Sequence, residues 1–250
     1  MHHRLARRAI SGSLGLLLLA ATGVAGATAA NADAPSPTPF VLSQADTDRL
    51  ATFLTDNGVP ADTQAALLDK LEAGGTWDSM AGKAPVSITT SSDGSEKRTL
   101  STYADGSIVV DTMQLPTLAP TPTPGTITPM DVKNCRSTAG GSGYVNFYDC
   151  QASSSTGLMV MGFNISYSIV NGGYDKITNV NSPYREASPG TATAPVLGIK
   201  KATENASGSA WASIVSTYTG PTGAPSGTYE MRALVGNNTA WTRWEQNGPE

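Results

Sequence analysis

Met159, Met161, Phe163, Ile165, Tyr167 and Ile169 occupy every second position of one stretch, with Val160, Gly162, Asn164, Ser166 and Ser168 between them. A strict period of two over this length predicts a β-strand with one buried face. Further strands are expected at 144–148, 176–180, 196–200, 210–218, 229–235 and 239–244, separated by Gly, Pro and Asn, with Asn237-Asn238 turning the last two into a hairpin. About seven strands spaced in this way predict an all-β antiparallel sandwich over 131–250.

The pattern differs in the first half. Ser43 or Asp46 can cap a helix carrying Leu50, Phe53 and Leu54 on one side, with Asn57-Gly58 as its stop. A second helix starts at 60–62, carries Leu67, Leu68 and Leu71, and stops at Gly74-Gly75. The two apolar stripes are expected to face each other as a helical hairpin. Beyond Trp77 three strands are predicted at 86–90, 96–103 and 107–113. Asp93-Gly94 and Asp105-Gly106 sit at their turns, a pair that favours tight hairpins. This predicts an α+β module over 40–115, two helices against a three-stranded meander, large enough to fold alone, though only marginally.

Five prolines in 116–129 delete backbone donors and hold φ near about −65°, so neither helix nor sheet runs through that stretch. Residues 116–130 are therefore expected to be a linker between two modules, with a strap along one body as the alternative. A short stretch, 33–39, is expected to be a disordered leader.

The N-terminus changes the picture of where the protein works. Arg4, Arg7 and Arg8 precede an uncharged apolar run, and small residues lead to Ala30-Asn31-Ala32. This is the layout of a secretory signal peptide (1–32) cleaved near Ala32, which predicts an extracellular protein without a stable membrane anchor. A transmembrane anchor is the competing reading. The predicted mature chain has no histidine, because His2 and His3 lie in the leader. Imidazole-based triads, general bases and metal ligands are then excluded. Residues 1–32 carry three arginines and no acid, which leaves 13 basic against 20 acidic side chains, a balance of −7. Nucleic-acid binding is not expected of such a surface. Cys135 and Cys150 are expected to form a structural disulfide in an oxidising compartment. Closing that loop would stabilise by about 3 kcal/mol in the chain-entropy model.

The run Thr63-Gln64-Ala65-Ala66-Leu67-Leu68-Asp69-Lys70-Leu71, continued through Gly75-Thr76-Trp77-Asp78-Ser79-Met80, resembles a recurring segment of uncharacterised secreted actinobacterial proteins. Tyr103-Ala104-Asp105-Gly106-Ser107-Ile108-Val109-Val110 resembles another. The order of parts is similar too. The resemblance implies location and architecture and assigns no activity.

Candidate chemistry is sparse. Trp241 and Trp244 are three apart, so a regular strand sends them to opposite faces. With Trp211, Tyr218 and Tyr229 they are the candidate ligand-binding residues, since a sugar ring stacks its C–H face on an aromatic ring. Asp149, Asp175, Glu186, Glu204, Glu230 and Glu245 are the carboxylates available for glycoside hydrolysis, and no spacing selects a pair. Asn171, Asp175, Asn179 and Asn181 place oxygens around a Gly-rich turn without the spacing of a calcium loop. No catalytic residue, metal site or cofactor is singled out. The leading expectation is a non-enzymatic extracellular interaction module, with cell-wall or environmental polysaccharide, or another exported protein, as partner. The alternatives are a carboxylate-dependent glycoside hydrolase and a structural or inhibitor-like protein of the envelope.

Overall fold

The computed structural model describes residues 40–116, 135–139, 143–221 and 226–246. The expected signal peptide, the leader at 33–39 and nearly all of the Pro/Thr-rich stretch lie outside these residues.

Two helices open the described chain. In α1 (Gln44–Asp56), the Ser43 side chain accepts the Asp46 N–H at 3.1 Å, as an N-cap does. Leu50 and Leu54 are its buried stripe. Gly58 follows with φ of 74°, a left-handed conformation that suits glycine at a helix end. Helix α2 (Ala61–Glu72) buries Leu67 and Leu71. Trp77 is fully buried, and its Nε1 donates to the Leu67 carbonyl at 2.8 Å, which ties the segment after α2 back onto that helix.

A short 3-10 helix (Asp78–Met80) follows, the remaining elements are strands, and every strand pairing is antiparallel. One sheet contains β1 (Ser87–Ser92), β2 (Glu96–Thr102), β3 (Ile108–Gln114), β4 (Arg136–Ala139), β5 (Tyr144–Ser155), β6 (Met159–Val170) and β7 (Lys176–Ala187). Its order is β1-β2-β3-β5-β6-β7, with β4 also on β5. The second contains β8 (Thr191–Ala192), β9 (Val196–Lys201), β10 (Ala210–Thr219), β11 (Ser226–Gly236) and β12 (Thr239–Gln246). Its order is β12-β11-β10-β8, with β9 also on β10. The fold is mostly β and sandwich-like. Met159, Met161, Phe163 and Ile165 of β6 have no exposed surface, and neither do Ala212, Ile214, Met231 and Ala233 of the other sheet. The alternation in β6 thus marks the core face, as its period predicts.

The expected division at 116–130 is corrected. Strand β3 pairs with β5, Val110 opposite Ser155 and Met113 opposite Ala152, so strands from both expected modules share one sheet. Pro37–Glu250 is one compact unit. The physical reason is in β3. Ile108, Val109, Val110 and Asp111 are all buried, so both faces are covered and the strand takes a neighbour on each side. The chain that leaves the sheet after Gln114 re-enters at Cys135, whose Sγ lies 3.5 Å from the Gln114 carbonyl oxygen. The disulfide between Cys135 and Cys150 then fastens the returning chain to β5.

The helices also serve the whole body. Arg49 of α1 donates to the Gly157 carbonyl at 2.6 Å and to that of Ser188. Phe53 packs so closely on the β5–β6 turn that a Cβ at Gly157 would lie 2.7 Å from its ring. Lys70 of α2 reaches Asp105 at the β2–β3 turn (2.7 Å) and Asp78 (3.0 Å). Burial alone would raise the Asp105 pKa. Hydrogen bonds from Lys70, from Ser107 and from the backbone N–H groups of Asp78 and Ser107 outweigh it and hold the carboxyl at about 2.

Candidate functional site: a groove beside the last strand

The five aromatic residues singled out in the sequence separate into two groups. Trp244 is buried and stacks on Tyr229 with ring centroids 5.4 Å apart, and Tyr229 meets Tyr218 edge-on at 6.4 Å. The Tyr229 hydroxyl donates to the Met80 carbonyl at 3.1 Å, and that of Tyr218 to the Pro189 carbonyl at 2.5 Å. Tyr218 and Tyr229 are core residues, which corrects their assignment as ligand contacts. Trp244 forms the back of a recess rather than an exposed platform. Trp211 and Trp241 lie on the opposite face of the sheet, in one cross-strand row with Leu234 between them. The Arg232 guanidinium sits 4.4 Å from the centre of the Trp211 ring and covers it. Trp241 is half-buried on the edge strand.

The groove follows from unequal sheet widths. The second sheet ends at β12, whereas the first continues with β1 and β2. Their inner positions are mostly short hydroxyl side chains, Thr90, Thr99 and Ser101, with little apolar area to drive coverage. Every residue of β1 is exposed. Two adjoining open recesses, about 390 and 430 Å³, run along β12 and share Ile88, Ser101, Asp111 and Arg243 in their walls. Trp241 and Thr239 border the larger one, with Thr90 and Thr99 opposite. Tyr103, Trp244 and Glu245 border the other.

Asp111 stands where the recesses meet and is 5% exposed. Burial pushes its carboxyl up to about 6. The Ser154 hydroxyl, the Trp244 backbone N–H and Arg243 oppose the rise, and Glu245 adds to it. Ser154 lies directly opposite Asp111 in the β3–β5 register and donates to it. Glu245, at the rim, is ion-paired with Arg243. The Tyr103 phenol is pushed up to about 12, by burial first and by Asp111 and Glu245 after it. Ser79 Oγ and Trp244 Nε1, on residues lining the same recess, are buried without a hydrogen-bond partner.

Asp111 was missed by sequence reasoning, which looked for carboxylates after the linker. Its signal was an acid inside the apolar run Ile108-Val109-Val110, followed by Thr112 and Met113. Of the six carboxylates that were singled out, Glu245 lines the groove and the others lie elsewhere. Asp175 is fully buried and accepts the N–H groups of Val170 (2.8 Å) and Asn238 (2.9 Å). Glu204 accepts those of Asp175 (3.2 Å) and Asn237 (2.9 Å). Glu230 is buried against Arg232 at 2.7 Å, and Asp149 faces Arg136 at 3.7 Å. Glu186 lies in β7, opposite Val160. Backbone N–H groups occupy both oxygens of Asp175, which accounts for this residue without a calcium ion. Among the described residues there is no group of three His, Cys, Asp or Glu side chains placed to hold a metal. None of their helices is long and apolar enough to cross a membrane. No family model, curated protein or solved structure matches the chain.

Proposed function

We propose that this is a secreted bacterial protein, exported by a signal peptide cleaved near Ala32, that binds an extended polysaccharide chain in the groove beside β12. One observation carries the reading. Trp241 is half-buried and lines the larger recess, beside the hydroxyl-bearing Thr90, Thr99 and Thr239, while Tyr218, Tyr229 and Trp244 are buried. A pyranose presents C–H groups on its faces and hydroxyls around its rim. An indole takes the first, and the hydroxyls of Thr90, Thr99 and Thr239 take the second. The Cys135–Cys150 disulfide fits an oxidising, extracellular setting.

The test is retention of the purified protein on insoluble cellulose, xylan, chitin and bacterial cell wall. Trp241→Ala is expected to weaken retention on the preferred polymer about tenfold, equivalent to about 1.4 kcal/mol. Trp211→Ala, whose ring Arg232 already covers, is expected to leave it unchanged. Retention on none of these polymers, or equal retention by Trp241→Ala, would remove the reading.

A further inference from the structure

We propose that the recess between Asp111 and Glu245 hydrolyses the glycan held in the groove, with Asp111 as general acid and Glu245 as the carboxylate that activates water. This rests on the reading of the groove as a glycan cleft and adds a reaction to it. Two observations support it. The two carboxyls reach one open recess from different sheets, Asp111 from β3 and Glu245 from β12. Their surroundings differ: Asp111 is enclosed between the sheets, while Glu245 sits at the rim against Arg243. A pair of carboxyls in unlike environments is how a protein without histidine divides acid and base roles.

The step balances with water as the co-reactant. Asp111 gives its proton to the glycosidic oxygen as the bond from that oxygen to the anomeric carbon breaks. Glu245 takes a proton from a water whose oxygen forms the new bond to that carbon. Two shorter glycans leave, and exchange with solvent returns the proton from Glu245 to Asp111. Ser154 is a positioning residue in this scheme. Its hydroxyl donates to Asp111 and so favours the ionised form.

The experiment incubates the full exported chain with cellohexaose, xylohexaose and chitohexaose across pH 4 to 8 and follows products by mass spectrometry. Cleavage is expected to decline above about pH 6, as Asp111 ionises. Glu245→Gln and Asp111→Asn are each expected to lower it about 10²–10⁴-fold, the range of general acid–base catalysis. Ser154→Ala is expected to move the decline to higher pH, which loss of packing alone would not do. Glu245 lies at the rim, so its variant remains informative if Asp111→Asn does not fold. Retention without cleavage at any pH would overturn the hydrolytic proposal and leave the binding reading intact. Neither retention nor cleavage would overturn both. Cleavage undiminished in Glu245→Gln would overturn the assignment of the pair.

Discussion

Strands β6 and β1 belong to the same sheet and meet opposite fates. Inward residues of β6 are Met, Phe, Ile and Tyr, and the second sheet covers them. Strand β1 reads Ser-Ile-Thr-Thr-Ser-Ser, and nothing in the second sheet reaches far enough to cover it. The apolar face gains free energy by leaving water. A hydroxyl-rich face gains little and would need partners for its polar atoms if buried. The lesson is that the groove is an uncovered part of the sandwich, made where one sheet outruns the other. Asp111 stands at the boundary between the two regimes, buried like a core residue yet lining a cavity.

The sharpest way to break the comparison is to remove core volume on the covered side. Phe163→Ala is expected to cost about 3–5 kcal/mol in urea unfolding, since a fully buried aromatic leaves a cavity. A loss below 1 kcal/mol would show that β6 is not the centre of the core.

The boundary residue gives the next effect. Asp111 has a folded pKa near 6 against an unfolded value near 3.8. Below about pH 3.8 the carboxyl is protonated in both states and costs nothing. Between 3.8 and 6 only the unfolded chain ionises, so stability falls as pH rises; above 6 the full penalty of about 3 kcal/mol is present. Urea unfolding at pH 4 and pH 7.5 is expected to show this loss in the native chain and to lack it in Asp111→Asn. An identical pH dependence in the variant would remove Asp111 as its source. Asp105 has the opposite sign. Its folded value of about 2 adds stability that is lost as pH falls below 3.8, which keeps the two windows apart.

The smallest effect belongs to the uncovered side. Ile88 is 61% exposed, and Ile88→Thr is expected to change stability by less than about 0.5 kcal/mol. A loss as large as that of Phe163→Ala would mean that β1 is covered in solution.

Local pattern was a good guide to elements and a poor one to their neighbours. The caps and stops of both helices, the tight turns at Gly94 and Gly106, the alternation in β6 and the Asn237-Asn238 hairpin are all short-range features, and they lie where the sequence put them. Strand β5 runs on through Gln151-Ala152-Ser153-Ser154-Ser155, which carries almost no hydrophobic signal. Pairing with β3 and β6 on either side makes it a strand. The same pairing hid the unity of the body, because five prolines between Leu115 and Met130 read as a boundary while β3 and β5 hydrogen-bond across it. For the site, odd spacing separated Trp241 from Trp244 correctly, but no spacing links Asp111 to Glu245.

By itself, then, the sequence determined the class of most elements, though not β4, β8 or the second half of β5, together with the opposed faces of Trp241 and Trp244 and the absence of histidine after residue 3. Each of these depends on backbone geometry over a few residues or on composition alone. Tertiary structure decided that one body spans the proline stretch, that Tyr218 and Tyr229 are core, and that Asp111 and Glu245 share a recess. Those outcomes depend on which strands become neighbours and how far each sheet extends, and both are settled by the burial of apolar faces separated by many residues along the chain.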